Sequence, residues 1–207
     1  MFQLSEPEFN IVAATFLDVF PRTTIWRGDF APNAPAVALI GQLDDAMIDP
    51  VVVERRLREL KTDATNPFLV HPAGFWTFLV GSLDLKEDRF VRARRNRENE
   101  PWLEILGPLN HDGSPRGAAP LFVGRQLETF LNEVRACLLA GSPLARLSPA
   151  HVQWRDAGAK LSTASILTAE GKHREADVLL KQTELSLPPE IRSAFDGVAA
   201  PFPTSVP

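Results

Sequence analysis

LSEPEFNIVAATFLDVFPRTTIWRGDFAPNAPAVALIGQ, residues Leu4 to Gln42, reads as helix, strand, loop, strand. Ser5 and Glu8 form an S-x-x-E capping box, which starts a helix. Phe9, Val12, Ala13, Phe16 and Leu17 then recur at helical spacing and give one apolar stripe. Phe20-Pro21 ends the helix. Thr23 to Trp26 is β-branched and aromatic, hence a strand. Arg27 to Pro35 (RGDFAPNAP) carries turn formers and reads as loop. Ala36 to Ile40 is a continuous apolar run closed by Gly41, the signature of a buried strand. Two strands alone are marginal in water. With the stripe of the first helix, they imply a larger sheet that this chain does not supply. The elements look like the end of a doubly wound domain, and no Gly-rich phosphate or cofactor loop appears in the sequence.

Outward from this stretch the chain becomes helical. Asp49 and Pro50 fit the N-cap and first position of a helix running to about Lys61. A short helix is expected from Gly74 to Val80, and Leu103 to Leu106 reads as extended. His111 to Pro120 (HDGSPRGAAP) is a turn-rich linker and marks the boundary between two halves. Leu121 to Ala140 places Phe122, Leu127, Phe130, Leu131, Val134 and Leu138 on one side and stops at Gly141. Ser148-Pro149 caps the next helix, which runs to about Glu170. Gly171 breaks it, and His173 to Leu187 follows, with Ala176, Leu179, Leu180 and Leu187 inward. Between Trp154 and Pro188 the spacing approximates one tetratricopeptide-like helix pair, although an ordinary helical hairpin fits the same residues.

Composition bounds the function. The 207 residues carry a net charge of −4, against a dedicated nucleic-acid binder, which needs a basic face. One cysteine, Cys137, excludes an intrachain disulfide and a cysteine metal cluster. Its apolar neighbours on an amphipathic helix predict a buried, inert thiol. No signal peptide opens the sequence, and no run reaches the roughly 18 apolar residues that span a bilayer. The expected compartment is the cytoplasm.

Few residues suggest chemistry. His71, His111, His151 and His173 are scattered and suit surface or capping roles, although His111-Asp112 would serve acid/base chemistry if a cleft formed there. Arg89, Arg92, Arg94, Arg95 and Arg97 form a basic cluster flanked by Glu87, Asp88, Glu98 and Glu100, which reads as a self-paired face. Asp44, Asp45 and Asp49 lack calcium-loop spacing and read as structural. Neither catalytic nor metal-binding residues can be named. Trp26, Arg27, Asp29 and Phe30 differ in kind. They sit at a strand end and in the loop beyond it, where ligands of open α/β sheets bind. Two aromatic rings beside a carboxylate suit an apolar cation such as a polyamine.

The run from Gln3 to Gln42 resembles the end of the catalytic domain of spermidine synthase-like proteins, most of all the long bacterial forms often fused to membrane segments. The helix pattern F-x-x-x-x-x-T-F-x-x-V-F-P that precedes the family's last two strands is met by Phe9, Thr15, Phe16, Val19, Phe20 and Pro21. ENEPWLEILGP (Glu98 to Pro108) also resembles a downstream stretch. The resemblance implies a methyltransferase-like α/β sheet, and with the reading of the residues above it gives a mostly helical α+β chain. Residues 1–48 would be a terminal helix and two-strand remnant of a methyltransferase-like α/β sheet. Residues 49–119 would form an irregular helical connector, 120–196 a helical region with the tetratricopeptide-like pair, and 197–207 a disordered tail.

In the family, decarboxylated S-adenosylmethionine binds a Gly-rich loop, and an acidic residue deprotonates the amine that takes the aminopropyl group. Both parts lie upstream of the matching run, so no residue here inherits a catalytic or cofactor-binding role. Trp26, Asp29 and Phe30 would form the rim of the polyamine pocket. The chain has no tyrosine and so departs from the family's tyrosine-containing loop. The expected function is that of a C-terminal portion, from a truncated or split gene or a misplaced start, without catalysis alone. Its partner would be the missing N-terminal catalytic part, membrane-associated if that part carries membrane segments. The alternative is a self-standing helical interaction module that buries its first helix by pairing with a homodimer mate.

Overall fold

The computed structural model describes residues 4–44, 47–59, 71–111, 120–137 and 142–192. Helix α1 (Glu6–Val19) starts at the expected capping box: the Ser5 N–H and hydroxyl both donate to Glu8 Oε2 at 2.7 Å. β1 (Arg22–Arg27) and β2 (Val37–Gln42) form an antiparallel hairpin in which Thr24 faces Ile40 and Trp26 faces Ala38.

The sheet has a third strand that the sequence reading missed. The expected helix Gly74–Val80 divides into α3 (Pro72–Trp76) and β3 (Leu79–Leu83), and β3 pairs antiparallel with the far side of β1. The strand order is β2-β1-β3. Thr77 turns the chain, its hydroxyl donating to Gly74 O at 2.5 Å. Every residue of β3 is buried. A short run buried on both faces has no period to separate strand from helix. Leu103–Leu106, expected to be extended, lies in α5 (Trp102–His111), after the short α4 (Asp88–Val91). Pro101 precedes the first helical residue, and Asn96 Oδ1 accepts the Leu103 N–H at 2.9 Å. This remote side chain satisfies one of the free donors of the first turn.

Helix α1 is not left without a partner, as its sequence had suggested. Phe9, Ala13, Ala14 and Leu17 pack with Ile25, Val37 and Val80 of the sheet and with Leu127, Phe130, Leu131 and Val134 of α6 (Gly124–Ala136). α6 begins three residues later than expected because Leu121 pairs in a bridge with Ser5 and the chain bends at Phe122, where Val123 N donates to Leu121 O at 3.0 Å. There Phe122 N donates to Leu4 O at 2.7 Å, and Gly124 takes a positive φ of 55°. α6 ends at Ala136, which leaves Cys137 exposed rather than buried. The apolar spacing that pointed to a buried thiol runs past the end of the helix.

The opposite face of the sheet packs Trp26 and Leu79 against Ala73, Trp76, Ala157, Leu161, Leu187 and Ile191. These come from α3, from α7 (Pro149–Ala169), and, for Leu187 and Ile191, from the turn and the short helical stretch that follow α8 (His173–Leu185). Ser148, Pro149 and Gly171 start and break these helices as the sequence predicts, Gly171 at φ 77°. Asp49 caps α2 (Pro50–Glu59) by accepting the Val51 N–H at 2.9 Å. The chain is thus mixed α and β, largely helical, around one small antiparallel sheet. Among the described residues, no helix is long and apolar enough to cross a membrane. Asp45, Lys61, Asp112 and the rest of the linker before Pro120, Leu138–Gly141 and the 197–207 tail lie outside the described residues.

Candidate functional site

The loop from Gly28 to Ala36 is tied at both ends and in the middle. Asp29 Oδ1 accepts the N–H groups of Ala31 at 3.0 Å and Ala36 at 3.3 Å. Gly28 N donates to Ala36 O at 2.7 Å, and Gly124 N donates to Pro32 O at 2.9 Å. A short polar side chain that binds its own backbone this way is the usual reason for Asp in turns.

Beneath the loop lies a buried ion pair. Arg27 Nη2, at the end of β1, donates to Glu128 Oε1 at 2.8 Å and Oε2 at 2.7 Å, with side-chain exposures of 4% and 9%. Ser162 Oγ on α7 donates to Glu128 Oε2 at 2.6 Å. Burial pulls the Arg27 guanidinium below its ordinary pKa, and the Glu128 carboxylate opposes that shift. A cavity of about 20 Å³ adjoins the pair, lined among others by Arg27, Asp29, Phe30, Glu128 and Ser162. That volume holds one water molecule. It is far below the roughly 300–1,000 Å³ of a small-molecule pocket.

Asp29 and Phe30 line this cavity, and Trp26 does not. Trp26 is buried on the other face of the sheet, where its indole N–H donates to Thr24 Oγ1 at 2.9 Å and its ring packs on Phe75 and Trp76. Phe30 is stacked on Phe78 at 5.1 Å. Sequence reasoning missed Glu128 and Ser162. The one available signal was Glu128 itself, which shares a helical face with Leu127, Leu131 and Val134 and so requires a buried partner of opposite charge.

Burial also pushes the Asp29 carboxyl above its ordinary value, against the effect of the Ala31 and Ala36 N–H groups. The folded chain therefore holds this proton more tightly than the unfolded chain. The resulting stability is complete below the ordinary carboxylate value and is lost as pH rises through the folded value. Asp29→Asn keeps an acceptor for both N–H groups and removes the charge. Melting curves from about pH 3 to about pH 7 should show an unchanged or higher midpoint near neutrality and a flatter profile for the variant. Asp29→Ala should instead cost roughly 1–2 kcal/mol at every pH, because it strands both donors.

The basic cluster is paired in part with its own flanking carboxylates and in part with carboxylates of other elements. Arg89 meets Glu133 at 2.5 Å and Glu87 at 3.5 Å, Arg92 meets Asp88 at 3.3 Å, and Arg95 meets Asp18 at 2.8 Å. Arg94 lies over the Trp102 ring at 3.7 Å. Two histidines are caps, as expected. His71 Nδ1 accepts the Ala73 N–H at 3.1 Å, and His151 Nδ1 accepts the Ser148 N–H at 3.0 Å. His151 Nε2 also meets Glu54 Oε1 at 2.8 Å, which fastens α2 to α7. His173 is the exposed first residue of α8, and His111 the last of α5. Among the described residues, no three His, Cys, Asp or Glu side chains gather to hold a metal.

Comparison of the chain with family models, with curated proteins and with solved structures finds no match.

Proposed function

We propose that this chain is the closing part of a spermidine synthase-like aminopropyltransferase, and that it works joined to the part bearing the cofactor loop and the catalytic acid. The observation that carries this reading is the outer edge of β2. Arg27 N donates toward β3, to Phe78 O at 2.7 Å, so by the alternation of an antiparallel ladder Thr24 and Trp26 bond toward β2. Thr24 Oγ1 reaches Ile40 O at 3.4 Å, in keeping with this register. The backbone of Ile40 thus faces β1, and that of Leu39 and Gly41 faces outward, with no strand beyond it among the described residues. Ala36 to Leu43 carries no charge and no proline. Proteins guard true edges with such residues. Ile40 in β2 and Leu43 just after it are 50% and 77% exposed. An unguarded apolar edge of this kind is the surface on which a methyltransferase-like sheet would continue.

On this reading the loop with Asp29 and Phe30 borders a polyamine pocket whose volume comes from the rest of the sheet. Given putrescine and decarboxylated S-adenosylmethionine, the isolated chain is expected to form no spermidine. Turnover by the chain alone would overturn the assignment of the catalytic groups to another part. The intact mass of the native product is the companion measurement. A product above 22.9 kDa that contains a Gly-rich loop and an acidic motif supports the reading. A native product of 22.9 kDa that stays monomeric and has no partner with those motifs counts against it.

A second reading, a helical interaction module, has its own observation. α7 and α8 leave an open groove of about 460 Å³, lined by Leu167, Val178 and Leu179 and bordered by Arg174, Glu175 and Gln182. Val178 is 58% exposed. An amphipathic helix presenting an apolar stripe is the partner such a groove accepts. Val178→Glu should abolish that association without changing the melting midpoint. An unchanged affinity would exclude this groove.

A further inference from the structure

We infer that Arg27, Glu128 and Ser162 are positioning residues that fix the loop Gly28–Ala36 relative to the sheet. The inference takes its functional meaning from the reading of that loop as a pocket border. Three elements distant in sequence converge here: the end of β1, the first half of α6 and the middle of α7. The carboxylate of Glu128 receives three hydrogen bonds of 2.8 Å or less, two from Arg27 and one from Ser162. Arg27 immediately precedes the loop, and its own N–H is bonded to Phe78 O. Gly124, four residues before Glu128 on α6, holds Pro32 in the middle of the same loop.

Stability alone does not account for the pair. A buried ion pair loses in desolvation much of what it gains in attraction, and apolar residues of similar volume often replace it at no cost. Leu127, Leu131, Val37 and Ile166 line the same small cavity as the pair. Apolar side chains would fill the space equally well but would accept several arrangements. Hydrogen bonds of defined direction accept one, and so set where the strand ends and the loop begins.

The test is amide hydrogen exchange in the full chain. Arg27→Met/Glu128→Leu is expected to melt within about 5 °C of the parent, as for other ion pairs replaced by apolar groups. The Ala31 and Ala36 amides, which report on the Asp29 turn, should exchange at least tenfold faster than in the parent, while Ile25 and Val80 in the core stay unchanged. Equal rates in the loop would overturn the inference. So would a uniform acceleration of loop and core, which marks a general loss of stability. If the double variant does not fold, Ser162→Ala removes one of the three bonds and should still accelerate the loop amides selectively, and failure to do so would also overturn the inference. No polyamine or cofactor enters the measurement, so its outcome is independent of whether the aminopropyl reading holds.

Discussion

Gly158→Ala is expected to destabilise the chain by roughly 3 kcal/mol, at the upper end for an overpacked core. A Cβ at position 158 would lie 1.7 Å from Thr77 O, 2.6 Å from Thr77 C and 3.0 Å from its Cα. These are backbone atoms and cannot swing aside as the end of a side chain would. Thr77 is fully buried and sits between α3 and β3, so moving it disturbs both. Moving α7 instead opens the contact of Ala157 and Leu161 with Trp76 and Leu79. The sign is diagnostic, because Gly→Ala inside a helix ordinarily stabilises by up to about 1 kcal/mol. Urea unfolding of the two proteins decides the matter. A variant as stable as the parent would mean that α7 does not cross Thr77 this closely.

Arg27→Met alone should cost about 3–5 kcal/mol, the range for removing one partner of a buried pair. Glu128 would keep only the Ser162 hydroxyl in a site that is 7% exposed. The loss comes from stranding a charge, more than from losing an attraction. Glu128→Leu added to Arg27→Met should therefore restore most of the stability, so the double variant is more stable than the single one. Thermal melts of the parent, both single variants and the double variant test this. A single-variant cost below about 1 kcal/mol would show that water reaches the pair and that it behaves like a surface ion pair. The same double variant is the subject of the exchange experiment, so one set of proteins separates energetic from positional roles.

Elements written in local chemistry were legible in the sequence. The capping box at Ser5 and Glu8, Asp49-Pro50, Ser148-Pro149 and the break at Gly171 were read correctly, because each depends on residues within one or two turns. The hairpin of β1 and β2 was legible for the same reason, but the continuous apolar run read as a buried strand is an edge strand in which only Val37 is buried and Ile40 is half exposed, because no strand lies beyond it among the described residues. β3 was not, because Leu79–Leu83 is apolar on both faces and only its partner decides its conformation. The start of α5 depends on Asn96, and the delayed start of α6 on a bond from Phe122 to Leu4 across most of the chain. At the candidate site, Asp29 and Phe30 were visible as loop residues beyond a strand. Trp26 looked similar, but its ring is buried against Phe75 and Trp76, in the cluster that also holds Phe30, and does not reach the cavity.

By itself, then, the sequence determined where the locally capped helices α1, α2 and α7 begin and where the chain turns. Those properties follow from dihedral preference, capping and periodicity, all of short range. Tertiary structure alone decided that a third strand completes the sheet on one side and that α6 covers α1. It alone brought Glu128 and Ser162 to Arg27. Packing and charge pairing act between residues that are near in space, and Arg27 and Glu128, 101 positions apart, become neighbours only once the sheet and both helices are in place.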